Sequence, residues 1–373
     1  PRAAGPCGGG GRGKPPTPRL VVWGTGPVGR PAIRAGLAHR DLELVGAVGA
    51  NPAKVGRDAG ELAGVGATGV HATADWQSLL AREKPDALVY VAKAETRGAE
   101  AFMELLACLE AGVNVVSTAF YPLLYPRCGL PEAVEPVAAS CRKGNSSVFV
   151  SGIDPGWALD ILPVLVSGVV SDIREIRVQE IFNYGLYDQP EVVREVIGFG
   201  GSMAQLPLML EEFSLKMVWE PMLRILADAL DCPLEGVETF VERRPLEETV
   251  DVPGMGLFER GTQGAFRFEV RGMRNGAARL VVEHITRIDD RCAPDWPYPP
   301  QGQGCHQVVI KGNPELVVSV HGHDPVEPGP AGGGNCTAAN RIVNAIPAVC
   351  AAPPGILSPL DLPPIDGSAQ LRP

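Results

Sequence analysis

The sequence predicts an α/β protein in which an N-terminal parallel-sheet domain precedes an α+β C-terminal domain with a largely antiparallel sheet. Two patterns predict this fold class. Up to about residue 150, short apolar runs alternate with longer segments of helical periodicity, which is typical of βαβ units and a parallel sheet. Beyond that point, several runs alternate apolar and polar residues, as half-buried antiparallel strands do.

Strands and helices alternate along the first domain. The apolar runs predict strands at Leu20–Trp23, Leu42–Val48, Ala87–Val91, Asn114–Ser117 and Ser147–Val150. Apolar residues spaced three and four apart predict helices at Gly98–Ala111 and Pro131–Lys143, and a further helix after the first strand.

The sequence pattern changes in the second domain. Helical periodicity covers Trp157–Val170 and Met203–Leu230. Alternation predicts strands at Ile173–Tyr184, Val237–Val252, Gly264–Arg271, Ala278–Ile288 and His306–Val320. The Asn275–Gly276 pair predicts a hairpin turn between two of these strands. A Gly/Pro-rich linker then leads to a last helix, Cys336–Cys350, which we expect to pack back on the first domain.

These patterns divide the chain into four parts. Residues 1–18 form a Gly/Pro-rich tail that we expect to be disordered, because it has almost no apolar surface to bury. Residues 19–155 are predicted as the first domain, 156–330 as the second, and 331–365 as the returning C-terminal helix.

Composition excludes several classes of protein. A net charge of −10 without a basic stripe argues against a nucleic-acid partner. The absence of an apolar run of about 20 residues argues against a membrane span. The nine scattered cysteines include no C-x-x-C pair, and the histidines show no zinc-ligand spacing. We therefore expect no metal and a cytoplasmic location or another reducing, soluble compartment.

A glycine-rich turn joins the first strand to the first helix. Its residues are Gly24, Thr25, Gly26, Pro27, Val28 and Gly29. In this context G-x-G-x-x-G is the dinucleotide-binding fingerprint: the glycines permit the tight turn, a close backbone approach to pyrophosphate, and close packing of helix on strand. The sequence therefore predicts a Rossmann domain with a nicotinamide cofactor.

The second strand indicates which cofactor. NAD-binding sites usually carry an acid at its tip, to bind the ribose 2′-hydroxyl. Here Asn51 follows the strand, and Lys54 and Arg57 lie close enough in sequence to neutralise a 2′-phosphate. NADP(H) is therefore the favoured cofactor, with NAD(H) as the alternative. The alternative role for Lys54 and Arg57 is that of ordinary charged residues on the solvent-exposed surface.

Ligands of open α/β sheets bind beyond the carboxyl ends of the strands. Ala92 and Thr118 follow two such ends and are predicted to contact the cofactor, as is Asn344 on the last helix. The substrate pocket is predicted to be lined by Phe120, Tyr121, Trp157, Phe182, Tyr184 and Thr286. The alternative for each of these six residues is a place in the hydrophobic core.

Several motifs make the sequence resemble the dihydrodipicolinate-reductase-like superfamily, in particular its amine dehydrogenase and 2,4-diaminopentanoate dehydrogenase branch. They are Gly24-Thr-Gly-Pro-Val-Gly-Arg30, the segment from Asn51 to Gly60, the segment from Ala111 to Thr118, Gly152-Ile-Asp-Pro-Gly156, and the segment from Asn344 to Gly355. The His-His pair and Ser-Gly-Thr loop of dihydrodipicolinate reductase itself have no counterpart here.

The resemblance implies NAD(P)H-dependent reductive amination of a small hydrophobic aldehyde or ketone with ammonia, and the reverse deamination, by a homodimer. It also implies a single catalytic glutamate, which Glu95 matches. The alternative for Glu95 is an acid at a helix start, where the helix dipole favours it. Two other functions remain open: a 2,4-diaminopentanoate or related amino-acid dehydrogenase, and a non-catalytic NADP-sensing scaffold.

Overall fold

The structure, a computed structural model, describes residues 17–94, 97–187, 189–327 and 330–372. The predicted disordered tail therefore lies outside the described residues, except for its last two positions. The described chain forms two large sheets, one parallel and one mostly antiparallel, as the sequence predicted, and one two-stranded ribbon.

The first sheet is parallel throughout. Its strands are β1 (Arg19–Trp23), β2 (Glu43–Val48), β3 (Ala72–Thr73), β4 (Ala87–Tyr90), β5 (Asn114–Ser117), β6 (Ser147–Val150) and β15 (Gly355–Leu357). They lie in the order β15-β6-β5-β4-β1-β2-β3. Their side chains are almost fully buried, because helices cover a parallel sheet on both faces.

Five helices belong to the segments between these strands: α1 (Gly29–Ala38), α2 (Ala59–Leu62), α3 (Trp76–Glu83), α4 (Gly98–Glu110) and α5 (Pro131–Gly144). Three more follow: α6 (Ile161–Ser167), α7 (Glu212–Ala229) and α8 (Pro330–Ala351). Among the described residues, no helix is long and apolar enough to cross a membrane.

The second sheet has six strands in the order β14-β13-β7-β12-β11-β8. These are β7 (Ser171–Asn183), β8 (Gly236–Pro245), β11 (Gln263–Arg274), β12 (Ala277–Arg287), β13 (Gly304–Asn313) and β14 (Leu316–Val320). A two-stranded ribbon of β9 (Val250–Val252) and β10 (Gly256–Phe258) stands beside it. Only the β7–β12 pair in the six-stranded sheet is parallel.

Some predicted elements of the second domain were wrong in extent. The helix predicted over Trp157–Val170 is limited to α6, because Gly156 at φ 145° and the Asp160 cap force turns before it. The helix predicted from Met203 begins only at α7, after Pro207 and a 3₁₀ turn.

Two predicted strands are in fact pairs of strands. Val237–Val252 divides after Pro245, and His306–Val320 divides at Asn313 and Pro314, because proline cannot donate to a sheet ladder. The predicted hairpin is confirmed: β11 and β12 pair antiparallel around Asn275 and Gly276, both at positive φ.

The last helix packs against the first domain, as predicted. Helix α8 starts earlier than the predicted Cys336 and buries Ile342, Val343 and Ile346 in the same core as residues of β1 and α1. The chain then adds β15 to the edge of the parallel sheet. The N- and C-terminal parts of the chain therefore share one hydrophobic core.

Candidate functional site

The glycine-rich turn is built by three glycines with different surroundings. Gly24 has a φ of 128° and donates to the carbonyl of Val48. A Cβ on Gly29 would lie 1.9 Å from the carbonyl oxygen of Gly24, whereas a Cβ on Gly26 would meet nothing within 4 Å. Gly24 and Gly29 are therefore required by the turn itself, and Gly26 leaves an open approach to the backbone.

The start of α1 is suited to an anion. Val28 provides no side-chain cap, and the first turn of the helix contains no acidic residue. Uncapped backbone N–H groups at a helix N-terminus, next to a bare glycine backbone, bind phosphate groups. The residues present therefore fit the pyrophosphate of a dinucleotide, with Pro27 and Val28 at the helix entry.

Basic side chains gather beside this turn. Lys54 Nζ donates to the carbonyl oxygen of Thr25 at 2.8 Å, so the loop after β2 is folded against the glycine-rich turn. Burial, and then the neighbouring Arg30 and Arg57 guanidinium groups, lower the pKa of Lys54. Asn51 accepts from the backbone N–H of Ala53 and shapes the same loop. The structure thus brings these predicted cofactor residues together.

The carboxyl ends of β4 and β5 carry the next candidates. Ala92 lies two residues beyond β4, and Thr118 directly beyond β5; both are half-buried. A Cβ on Gly152 would lie 4.0 Å from Thr118 Cγ2, so the loop after β6 meets the loop after β5. Glu95, the predicted catalytic residue, lies outside the described residues.

A cavity of about 440 Å³ lies between the loop after β6, the second sheet and α8. Its walls come from the loop after β6 through Ile153, from the second sheet through Phe182 and His306, and from α8 through Thr337. No lysine or arginine is among the described residues that line it. The cavity has the size of a small-molecule site.

The six predicted pocket residues fall into two groups. Phe182, Tyr184 and Thr286 belong to the second sheet or its edge, and Phe182 lines the cavity. Phe120 instead packs its ring on Tyr90, with centroids 5.2 Å apart. Tyr121 and Trp157 are half-buried in the loops after β5 and β6.

Asn344 is placed away from the cavity lining. Its side-chain oxygen accepts from Gln370 Nε2 at 3.0 Å, and the same nitrogen donates to the carbonyl of Ala35 in α1. The described contacts of Asn344 therefore tie the C-terminal tail to α1.

A group of buried ionisable side chains adjoins the cavity, and we call Asp154, Glu180, His284 and His306 the carboxylate–imidazole cluster. His284 Nε2 lies 3.1 Å from Asp154 Oδ2, and His284 Nδ1 lies 3.4 Å from Glu180 Oε1. His306 Nε2 lies 3.5 Å from Glu180 Oε2. Tyr184 donates to Glu180 at 2.9 Å.

The second sheet and its neighbours hold this cluster in place. The register sets Glu180 beside His284 on one side and His306 on the other. The His284 ring stacks on Phe268 at 4.5 Å, and Trp219 Nε1 donates to Asp154 Oδ1 at 2.9 Å. The cluster therefore lies in an aromatic, water-poor surround, where charges interact strongly.

The electrostatics of the cluster follow from burial and from opposite charges. Burial alone would lower the pKa of His284, but Asp154 and Glu180 raise it to about 10. Burial would raise the pKa of Glu180, but His284 and His306 hold it well below its ordinary value. Burial, and then the Glu180 charge, raise the pKa of Tyr184. The two carboxylates thus favour the protonated form of His284, and the charge of Glu180 favours the neutral, donating form of Tyr184.

Sequence reasoning missed Asp154, Glu180, His284 and His306. One signal was present, because residues two apart lie on the same face of a strand. Glu180 shares its face with Val178 and Phe182, and His284 shares its face with Val282 and Thr286, so each ionisable residue stands on a mostly apolar face. What the sequence did not reveal is the register that joins these strands.

Comparison with known proteins gives matches along most of the chain. Residues 18–120 match the family model "Dihydrodipicolinate reductase, N-terminus", and residues 157–370 match "2,4-diaminopentanoate dehydrogenase C-terminal domain".

Individual proteins extend these matches. An amine dehydrogenase of Streptomyces virginiae is 47% identical over 345 residues, which cover 92% of this chain and 95% of that protein. A 2,4-diaminopentanoate dehydrogenase of Acetoanaerobium sticklandii is 25% identical over 71% of this chain and 70% of its own length. The solved structure of an amine dehydrogenase from Mycobacterium smegmatis has a TM-score of 0.71 at 23% identity, covering 95% of this chain and 98% of that one, and shows the same fold.

Proposed function

The chain belongs to the family of amine dehydrogenases and 2,4-diaminopentanoate dehydrogenases, and from this premise we propose that it catalyses NAD(P)H-dependent reductive amination of small aldehydes and ketones with ammonia, and the reverse deamination. The observation that carries the proposal is the 47% identity to the Streptomyces virginiae amine dehydrogenase over 92% of the chain. The cavity that adjoins the loop after β6, which follows a carboxyl end of the parallel sheet, supports this proposal as a candidate substrate site.

The proposed mechanism divides the work between cofactor and protein. A nicotinamide dinucleotide, when bound, exchanges the hydride with the carbon that carries nitrogen. The glycine-rich turn and the N-terminus of α1 would hold its pyrophosphate.

Glu95 is the proposed acid/base. It follows Ala94 in the sequence, beyond the carboxyl end of β4. Its carboxylate takes a proton from the ammonium nitrogen, which frees the lone pair that attacks the carbonyl carbon. The attack gives an alkoxide beside a protonated nitrogen, and one proton passes from that nitrogen to the oxygen to form the neutral carbinolamine. The proton held by Glu95 then goes to the carbinolamine hydroxyl, which leaves as water and gives the iminium.

The experiment that tests the function is an ammonium-dependent assay. NADPH or NADH consumption should require both ammonium and a carbonyl compound, with cyclohexanone and isobutyraldehyde as first substrates. If neither NADPH nor NADH is consumed in an ammonium-dependent way with any compound of a carbonyl panel, the proposal is refuted. A non-catalytic, nucleotide-sensing role would then be favoured.

A matched pair of variants tests Glu95. Glu95→Gln should lower kcat by about 10²-fold or more, while the dinucleotide Kd stays the same. Glu100→Gln is the control, because Glu100 pairs with Arg97 on the surface of α4 and its side chain is 66% exposed. Equal activity of the two variants would discard Glu95 as the acid/base.

We further propose NADP(H) as the preferred cofactor, with NAD(H) as a second one. The support is the cationic group of Lys54, Arg30 and Arg57 beside the glycine-rich turn. The double variant Lys54→Ala/Arg57→Ala should raise the Kd for NADPH by about tenfold or more and change that for NADH little. Arg142→Ala, an exposed cation on α5, is the control.

An amino-acid substrate is less favoured. A substrate carboxylate needs a cationic partner, and the described cavity lining contains neither lysine nor arginine. The homodimer, which the family resemblance implies, remains part of the proposal; light scattering during size-exclusion chromatography measures it directly.

A further inference from the structure

The loop of residues 91–97, between β4 and α4, is flanked by two residues that share one buried partner. That partner is Glu104, in the middle of α4. Glu104 Oε2 accepts from the hydroxyl of Tyr90, the last residue of β4, at 2.6 Å. Glu104 Oε1 accepts from Nη2 of Arg97, which directly precedes α4, at 2.7 Å. One carboxylate therefore bridges the start and the end of the loop, and we call these three side chains the Tyr90–Glu104–Arg97 bridge.

The bridge is anchored in the core of the first domain. Tyr90 and Glu104 are both buried. The Tyr90 ring contacts Trp23 of β1 and Phe120 after β5, with ring centroids 5.2 Å apart in each pair. A buried carboxylate is unfavourable unless it is paired and hydrogen-bonded, and here each of its oxygens has a donor. The bridge therefore attaches the loop to rigid elements.

Backbone contacts join the same loop to the bridge. The N–H of Arg97 donates to the carbonyl of Ala94 at 3.3 Å, and Glu95 lies between these two residues in the sequence. At the start of the loop, the carbonyl of Tyr90 accepts from Ser117 Oγ at 2.7 Å. The segment that contains Glu95 is thus held on both sides by described contacts.

Arg97 has a second carboxylate partner, which differs in exposure. Glu100 lies 2.7 Å from the Arg97 guanidinium group, but its side chain is 66% exposed, against 9% for Glu104. Exposed ion pairs contribute little, whereas loss of one partner of a buried pair leaves the other charge uncompensated. We therefore expect Glu104, rather than Glu100, to fix the position of Arg97.

From these contacts we propose that Glu104, with Tyr90 and Arg97, is a positioning residue of the amination reaction. The bridge acts through Glu95, because it restricts the loop that carries this carboxylate and so its place relative to the reacting nitrogen and oxygen. Proton transfer requires hydrogen-bond distance, and a misplacement of about 1 Å can lower a rate by about 10²-fold. This inference rests on the proposed function, in which Glu95 is the acid/base.

A double-mutant cycle between Glu104 and Glu95 is the first test. Glu104→Gln keeps the size of the side chain but replaces one acceptor oxygen by a donor, so one arm of the bridge is lost. It should lower kcat by about tenfold and leave the dinucleotide Kd unchanged. In the Glu95→Gln background the same substitution should lower kcat no further, because its effect passes through Glu95. Equal losses in the two backgrounds would overturn the proposal.

The matched control for this cycle is Glu110→Gln on the same helix. Glu110 lies 2.7 Å from Lys143 and its side chain is 40% exposed, so it has the same chemistry without the bridge. Its kcat should stay within about twofold of the wild-type value. A loss in Glu110→Gln as large as in Glu104→Gln would mean that any change of charge on α4 disturbs the reaction, and would refute the specific role of Glu104.

The two arms of the bridge are tested by milder variants that keep the fold if Glu104→Gln does not. Arg97→Met should lower kcat about as much as Glu104→Gln, whereas Arg97→Lys, which can still donate to Glu104, should recover it to within about threefold of the wild type. Tyr90→Phe keeps the ring and removes only the hydroxyl, and it too should lower kcat in the wild type but not in Glu95→Gln. Wild-type kcat in Arg97→Met and Tyr90→Phe would refute the bridge.

Hydrogen exchange separates this inference from the proposed function, because it requires no turnover. Exchange of the backbone amides of residues 91–97, followed by mass spectrometry, should be about tenfold faster in Glu104→Gln than in the wild type and unchanged in Glu110→Gln. A protein that shows this difference without ammonium-dependent activity would fail the proposed function and keep the anchoring role of Glu104. Unchanged exchange in Glu104→Gln would refute the bridge even in an active enzyme.

Discussion

Gly26 and Gly29 belong to the same turn but are required for different reasons. A Cβ on Gly29 would collide with the carbonyl oxygen of Gly24 at 1.9 Å, and backbone cannot move aside there. Gly29→Ala should therefore lower the free energy of unfolding by about 3 kcal/mol, measured in urea.

Gly26→Ala should behave in the opposite way. Since its Cβ meets nothing within 4 Å, the free energy of unfolding should change by less than about 0.5 kcal/mol. The methyl group would instead occupy the approach to the backbone, so the dinucleotide Kd should rise about tenfold or more by fluorescence titration. A Gly26→Ala protein that binds the dinucleotide normally would contradict the role given to this glycine.

Residues whose role depends on local backbone were predictable, and residues whose role depends on register were not. The glycine-rich turn could be predicted because strand, turn and helix are contiguous in sequence. Glu180 and His284 are separated by more than a hundred positions and meet only because β7 and β12 pair in parallel. No spacing along the chain indicates that pairing.

At the scale of elements, Asp58 organises the loop that carries Lys54 and Arg57. Its carboxylate caps α2 by accepting from Gly60 and Glu61, and it accepts from Thr68 and Gly69 as well. Burial would raise the pKa of Asp58, but these hydrogen bonds lower it to about 2 from 3.8.

Asp58→Asn tests this loop and its pH dependence. The variant should lose about 1–2 kcal/mol of unfolding free energy at neutral pH, because the amide replaces a charged acceptor. Since the folded-state pKa is depressed, the advantage of the wild type is fully present above 3.8 and is lost as the pH falls toward about 2. Urea denaturation of both proteins from pH 7 to acid measures it; a difference that does not shrink in acid would contradict the assignment.

The divided strands show the limit of periodicity at this scale. Alternation continues through β13 and β14, so the sequence pattern predicts one strand, whereas the turn at Asn313 and Pro314 folds it into a hairpin. β15, which has three residues, is too short for any periodicity to be detected. Pro314 is therefore a local signal that outweighs the alternation, whereas β15 is decided by tertiary pairing with β6.

At the scale of the whole molecule, the chain between the second sheet and α8 is fixed to α1 by ion pairs. Arg34 contacts Asp324, and it lies 2.7 Å from Glu327, which also pairs with Arg30. Hydrogen bonds from Arg30 and Arg34 lower the pKa of Glu327 to about 2. The segment that follows β14 is thereby held against α1. This contact positions the neighbouring residues of the cavity wall.

Arg34→Ala should destabilise the protein far more than loss of a surface cation. Asp324 has a side chain only 2% exposed, and without Arg34 its charge would remain buried and unpaired, at a cost of about 3 kcal/mol. Arg82→Ala is the matched control, since Arg82 is 66% exposed beside Glu83 and should cost less than about 1 kcal/mol. The double variant Arg34→Met/Asp324→Leu should recover most of the loss, because it removes the buried charge together with its partner. Urea denaturation of the four proteins measures these losses: equal losses for Arg34→Ala and Arg82→Ala would mean that the ion pairs of Arg34 do not stabilise the contact between α1 and the segment after the second sheet.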